Sequence, residues 1–486
     1  MVTCGIDWAQ DHHDVALVDA DGRLVARRRI PESVAGFAEL TAMLADADDD
    51  PEDPIPVAIE TPRGLLVAVL RASGRPIYPI NPMSVARYRE RTSMSGKKSD
   101  HGDAVTLANI LRTDIDQHRR LPADTELAQS ITVLARAHQD ATWRRNRAGN
   151  ELRSLLREYF PGFLHAFADR PGGITAPEAR AVLAIAATPA KAARLSKPQI
   201  TAALRRAGRQ RGLTTLAATI HQQLRLPQLR HPAPVEDAFG IQAVALLATL
   251  DAECANVDRL GEATAATFAQ HADHRIITSF VGVGDLTGAR LLAEIGDDRT
   301  RFADARALKA FAGSAPVTKA SGRSIRITHR HVKNNRLAAV GFVWAFIAAG
   351  CEGPTRAHYL TRRDHGDRHP AALRHLYKPH ARPALPLPAN QPNLRPNQGI
   401  PTTPDAPHTS RRLTVNKIGG LPVAHQANTA AQQPEEPTPR RGGPITGKTA
   451  SQVVPSMANR WSHAHGKTSS EVVPFTWQPT QVRGSR

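Results

Sequence analysis

The 486-residue chain is poor in cysteine: it has three, Cys4, Cys254 and Cys351, far apart and in no CxxC pair. That excludes a zinc ribbon and a disulfide framework, and it fits a reducing compartment such as the cytoplasm. Long apolar runs are also lacking. No stretch approaches 18 uninterrupted apolar residues, so no membrane span is expected. The opening MVTCGIDWAQDHHD has no basic flank followed by an apolar run, which excludes a secretory signal of the usual kind. Acid is the scarcer charge. Sixty-three Lys and Arg face 45 Asp and Glu, a formal net charge of +18. A balance this basic favours a polyanionic partner, most simply nucleic acid, because Lys and Arg that neutralise phosphates release condensed counterions. The plain alternative is a basic tail that keeps a protein soluble.

What is present is organised. Residues 2–30 alternate like a β-meander, with strands at Val2–Trp8, Asp14–Val18 and Leu24–Ile30 and a turn at Asp19-Ala20-Asp21-Gly22. Ser33 suits an N-cap for a helix through Phe37, Leu40 and Leu44. Pro56–Glu60 reads as a fourth strand, Gly64–Ala72 as a helix and Pro76–Ile80 as a fifth strand, followed by a basic helical stretch. That order predicts an α/β domain of RNase H-like type over residues 1–121. Residues 122–270 lack strand signals. Leu127–Arg157 reads as one long helix with an apolar stripe, and Arg144, Arg145, Arg147 and Arg153 lie off it. The segment is expected to be an α-helical, coiled-coil-like linker or bundle that dimerises or grips nucleic acid; the alternative is a solvated charged face. Residues 271–378 have their own apolar pattern and are read as mainly α.

Four acids fall where hard-cation chemistry needs them. Asp7 ends the first strand pattern, Glu60 ends the fourth, and Asp100 and Asp103 open a helical run through Leu107 and Leu111. Spacing of i, i+3 puts the last two on one helix face. A carboxylate cluster is what Mg²⁺ or Mn²⁺ prefers, and such ions serve phosphoryl transfer. Each acid alone is as readily a turn or cap residue; only the joint pattern points to metal. Gly5-Ile6-Asp7, Glu60-Thr61 and Lys98-Ser99-Asp100-x-x-Asp103-Ala104 resemble the DEDD motif of the IS-one-ten family of insertion-sequence transposases. The resemblance implies a RuvC-like domain holding divalent metal through Asp7, Glu60, Asp100 and Asp103.

A second segment carries the same resemblance. Val281-Gly282-Val283-Gly284 before a helix from about Leu286 looks like a helix–hairpin–helix, in which Gly282 and Gly284 let backbone N–H groups approach a phosphate. A dinucleotide fingerprint through Gly282, Gly284 and Gly288 competes, but its last spacing is one residue too long and no βαβ unit follows. Gly313-Ser314-Ala315-Pro316, Ala320-Ser321-Gly322-Arg323 and a basic run through Arg326 and Lys333 to Arg336 follow. They are similar to the family's C-terminal transposase domain. By residue type alone Ser321 is a turn residue; the resemblance implies that it is the nucleophile that becomes joined to DNA. Arg323, Arg326, Lys333 and Arg336 then stand where they could bind the scissile phosphate, and Ser314 is the competing serine. The resemblance covers roughly residues 2–375. It further implies a structured guide RNA and a dimer or tetramer whose active sites combine acids and serine from different subunits, acting on element ends and target DNA in the bacterial cytoplasm and nucleoid. Two other readings stay open: an RNase H-like endonuclease or junction resolvase working by metal alone, and an inactive nucleic-acid-binding remnant.

After about Lys378 the composition breaks. Seventeen of the 37 prolines lie there, with twelve Lys and Arg against four Asp and Glu. Residues 379–486 are therefore expected to be a disordered basic tail, and the abrupt change near Tyr377 suggests a frameshift or fusion that costs the domain a terminal packing helix. The literal P-loop string Gly442–Thr449 lacks a preceding strand and carries no ATP-binding expectation. His365 and His369, at i, i+4, lack the acid of a metalloprotease motif.

Overall fold

The computed structural model describes residues 1–92, 100–322 and 324–380. The side chain of Asp100, Arg323, the P-loop string and the proline-rich tail, all named above, lie outside the described residues.

Strands β1 (Thr3–Trp8), β2 (His12–Val18) and β3 (Leu24–Pro31) form the antiparallel meander. Helix α1 (Val34–Ala45) follows, its first turn capped by the Ser33 hydroxyl, which accepts from the Gly36 amide at 3.1 Å. It leads to β4 (Val57–Ile59); α2 (Leu65–Ala72) leads to β5 (Ile77–Pro79), and both strands run parallel to β1. The sheet order is β3-β2-β1-β4-β5. Helices α3 (Pro82–Thr92) and α4 (Asp100–Asp114) complete a mixed α/β domain.

The pleat divides the sheet into two faces. Cys4 and Ile6 point toward α1 and α2, into a core with Leu40, Leu44, Leu66 and Leu70. Gly5 points the other way, toward α4, and Ala58 lies on that side with Leu107, Ile110 and Leu111. With helices on both faces the strands are buried throughout, which is why their alternation in sequence is blurred. Contact at Gly5 is backbone to backbone. A Cβ there would sit 2.0 Å from the Ala104 carbonyl oxygen and 2.5 Å from the Ala108 nitrogen. The Thr3 hydroxyl donates to the Ala108 carbonyl at 3.0 Å.

The rest of the described chain is helical apart from one hairpin. Helix α5 (Glu126–Tyr159), then α6 (Pro161–Ala166), α7 (Pro177–Ile185), α8 (Pro189–Arg194), α9 (Lys197–Arg206) and α10 (Leu213–Gln223) precede α11 (Ala233–Phe268). α11 returns antiparallel along α5. Arg144 meets Glu253 at 2.7 Å, Gly149 lies against Leu250, and the Tyr159 ring stacks on Phe239 at 5.0 Å. Among the described residues α11 is the one unbroken helix long and apolar enough to cross a membrane, by length and composition alone. Its Ala243, Leu247, Leu250 and Cys254 are buried in the helical core that the C-terminal half of α5 also lines.

Helices α12 (His274–Thr278), α13 (Asp285–Ile295) and α14 (Ala305–Phe311) lead to strands β6 (Val317–Ser321) and β7 (Ser324–Thr328). Then come α15 (Asn335–Gly350), α16 (Pro354–Asp364) and α17 (His369–His380). Their core takes in Ile131 and Ala135 from the N-terminal half of α5, so one rod serves two cores. Tyr377 lies in that core. A Cβ on Gly341 would touch its ring at 2.5 Å, so α17 is itself a packing helix.

A polar latch ties the start of α5 to the loop after α13. The Asp297 carboxylate accepts from the Thr125 amide at 3.0 Å and hydroxyl at 2.6 Å, and Asp298 accepts from the Ala123 amide at 2.9 Å. In return Asp124 accepts from the Asp297 amide at 3.0 Å and the Asp298 amide at 3.2 Å. Gly296 (φ +79°) leaves room for Asp124, whose carboxylate oxygen would stand 2.2 Å from an added Cβ. Burial pushes Asp297 toward the neutral form, but hydrogen bonds from Thr125 and His271 outweigh it and hold the carboxyl below its ordinary range.

Candidate active site

The register of the sheet brings Asp7 and Glu60 to one end of the sheet. Asp7 is two residues beyond Gly5 on β1, so it shares the face that meets α4. Ile6 pairs with Ile59, and Glu60 follows directly after the end of β4. Contacts of Thr3 with Ala108, and of Gly5 with Ala104 and Ala108, run α4 antiparallel to β1. The N-terminus of α4, with Asp100 and Asp103, therefore lies over the ends of β1 and β4 where Asp7 and Glu60 stand. Asp103 is 6% exposed and carries an ion pair with Arg89 of α3.

Two residues that sequence reasoning passed over belong here. Asp14 of β2 is the register partner of Asp7 and is 3% exposed; its carboxylate accepts from Arg29 at 2.7 Å. Arg89 neutralises Asp103. The basic stretch after Asn81-Pro82 was the available signal for Arg89, but only folding chooses which of its arginines meets the acid. The donor set is all hard oxygen, the kind that suits Mg²⁺ or Mn²⁺. Among the described residues no three of His, Cys, Asp and Glu are gathered closely enough to hold an ion.

Ser321 ends β6 and pairs with Ser324, the first residue of β7, and Gly322 between the strands has φ +54°. The cross-strand pairs sort the hairpin into two faces. Thr318, Ala320, Ile325 and Ile327 share one; Lys319, Ser321, Ser324 and Arg326 share the other. Both faces are exposed, with Ile325 at 72% and Ile327 at 69%. Lys319 and Arg326 stand directly opposite each other. Like charges in that relation destabilise a two-stranded ribbon. A bound polyanion reverses the sign of that cost.

The other expected nucleic-acid contacts divide. Gly284 is the N-cap of α13, with open space where a side chain would be, and the glycine turn joins α12 to α13. Gly282 (φ +80°) packs on the backbone of α15, where an added Cβ would stand 3.1 Å from the Ala348 nitrogen, so its smallness serves that contact. Gly288 lies inside α13 against Phe268, a packing position that leaves no dinucleotide turn. Arg336 donates to Asp140 at 2.8 Å and Gln139 at 2.9 Å and covers the Trp143 ring, tying α15 to α5. The Lys333 stem covers Gly313, and its ammonium donates to the Arg330 carbonyl at 3.4 Å. Arg326 is exposed on the Ser321 face. Ser314 is turned inward, its hydroxyl donating to the Lys309 carbonyl at 3.3 Å.

Two family models match the chain. An IS110-type DEDD model described as "Transposase" covers residues 4–161, and one described as "Transposase IS116/IS110/IS902 family" covers residues 274–360. The "Mini-circle putative transposase for IS117" of Streptomyces coelicolor is 56% identical over 375 residues, 77% of this chain and 91% of that protein. The insertion element IS116 44.8 kDa protein of Streptomyces clavuligerus is 29% identical over 76% of this chain and 90% of its own length. The insertion element IS900 42 kDa protein of Mycobacterium paratuberculosis is 27% identical, over 76% and 92%. The first model spans the acid edge, and the second spans the glycine turn and the serine hairpin.

Proposed function

This chain belongs to the IS110 family of insertion-sequence transposases, and from that premise we propose a serine-nucleophile, metal-assisted DNA recombinase whose two half-sites are the acid edge and the β6–β7 hairpin. DNA is the partner that a transposase requires. One observation carries the finer reading: Ser321 shares its hairpin face with Lys319 and Arg326 and with no acid. A serine hydroxyl is a weak nucleophile until its surroundings favour the alkoxide and the phosphorane charge, and a cationic face does both. In the step proposed, Ser321 Oγ attacks phosphorus and the bond from phosphorus to the departing deoxyribose oxygen breaks. The serine proton leaves and the departing oxygen takes one up. A new strand end reverses the step, so no bond energy is lost between cutting and joining.

The sheet order 3-2-1-4-5 and the acids at its end support an RNase H/RuvC-like reading of residues 1–121. Asp7, Glu60, Asp100 and Asp103 are the residues that would hold Mg²⁺ or Mn²⁺. Bound there, a divalent ion would supply Lewis-acid charge to a phosphoryl oxygen. Asp14 and Arg29 fix the strand beside Asp7, and Arg89 pairs with Asp103. The helical middle is proposed as a coiled-coil-like dimerisation region and 271–378 as the serine domain. The working form is proposed to be a dimer or tetramer guided by a structured RNA in the bacterial cytoplasm.

The test is a covalent-adduct assay with element-end DNA, RNA from the element's flanks and Mg²⁺, resolved on denaturing gels. Wild type should form an adduct that both Ser321→Ala and Asp103→Ala lose. Cleavage without an adduct, indifferent to Ser321→Ala, would replace this reading with a metal-only endonuclease.

A further inference from the structure

The helical middle contains a cleft, distant in sequence from both half-sites. About 330 Å³ opens between the end of α5, α6 and the Gly172-Gly173 turn. Its charged and titratable lining is all cationic or basic: Arg153 and Arg157, one helical turn apart on α5, and His165 on α6. No carboxylate lines it among the described residues. Arg153 donates to Asn150 at 3.0 Å, a neutral partner that leaves its charge uncompensated. Cations at i, i+4 on one helix repel, so the sequence tolerates a local cost here. The rest of the wall is apolar, with Pro161 and Leu164 on α6 half-exposed. Gly173 (φ +52°) roofs Arg153, whose guanidinium would lie 3.8 Å from an added Cβ.

A cationic rim over an apolar floor, at the lower end of small-ligand pocket volumes, matches one particular shape. We infer that the cleft seats a single unpaired nucleotide of a nucleic-acid strand, its phosphate on Arg153 and Arg157 and its base against the α6 wall. The inference rests on the nucleic-acid part of the proposed function and not on serine chemistry. Unpaired bases splayed from a structured strand are what such clefts read, and both RNA and DNA can present them.

Binding is measured on the full-length protein with a short single-stranded RNA and its DNA counterpart, at several salt concentrations and without cleavage. A failed adduct assay therefore leaves this result standing. Arg153→Gln with Arg157→Gln should weaken binding about tenfold and reduce the salt slope by roughly one to two, one per lost phosphate contact. Ala168→Trp, an exposed position in the mouth of the cleft, should weaken binding about as much while the salt slope holds, because it fills the space without changing charge. Loss confined to RNA identifies a guide-type strand as the source; loss confined to DNA identifies a substrate strand. Unchanged binding in the arginine variant overturns the inference. So does loss in the arginine variant with none in Ala168→Trp, since the arginines would then act as surface charge only.

Discussion

At the scale of single residues, the site depends on which neighbours neutralise which charges. Asp103 is buried and leans on Arg89. Removing one partner of a buried pair leaves an unpaired charge, at a cost of about 3–5 kcal/mol. Arg89→Gln should therefore melt earlier than wild type when metal is absent. Added Mg²⁺ or Mn²⁺ should recover more stability in the variant than in wild type, and thermal melts with and without the ion would show it. Equal metal shifts in both proteins would remove Asp103 from the binding set. Ser321 and Ser324 form a natural control, since they are register partners on the same hairpin face. Ser324→Ala should retain the DNA adduct that Ser321→Ala abolishes, by at least about a hundredfold. An adduct that survives in Ser321→Ala and vanishes in Ser324→Ala would move the nucleophile across the turn.

At the scale of elements, close approach and the latch carry the geometry. Gly5 lets α4 lie on β1 with no side chain between them. Gly5→Ala has no relief by rotamer, because the obstructing atoms are backbone. It should destabilise the α/β domain by at least about 1–3 kcal/mol and lift Asp103 away from Asp7, visible as a lowered midpoint in denaturant and lost DNA cleavage. The latch is sensitive to acid. Asp297 and Asp298 both have folded-state pKa values held below the ordinary carboxylate range. A depressed carboxyl contributes stability that is present above its unfolded value and lost as pH falls through its folded value. The contribution should thus be intact at neutral pH and decline below about pH 4. Asp297→Asn should melt earlier than wild type at pH 7, with the gap narrowing as pH drops; a gap that widens in acid would contradict the sign.

For the whole molecule, a formal charge of +18 dictates how it meets DNA. Binding should weaken steeply with salt, because each phosphate contact adds about 0.9 to the slope. The hairpin contributes Lys319 and Arg326, held opposite each other at a cost in the free protein. Lys319→Gln with Arg326→Gln should lower the salt slope while leaving the protein as stable as before or slightly more so. A slope that stays the same would place the phosphates elsewhere.

The sequence was most informative where local chemistry and periodicity agree. The meander, the Ser33 cap, the two parallel strands and the long α5 fall within a residue or two of where alternation, capping and apolar spacing place them. Asp7, Glu60 and Asp100-x-x-Asp103 were visible because each sits at an element's end, and their family resemblance was visible with them. Packing decided the rest. The pleat and the close contact at Gly5 brought the N-terminus of α4 to the face that Asp7 shares. Folding alone paired Arg89 with Asp103 and Asp14 with Asp7. It turned Gly282 and Arg336 toward α15 and α5, split α5 between two cores and sorted Ser321 onto a cationic face. A chain encodes which residues are available within a few positions of one another. Which distant charges meet depends on register and helix direction, and those are fixed only when the whole apolar surface is buried at once.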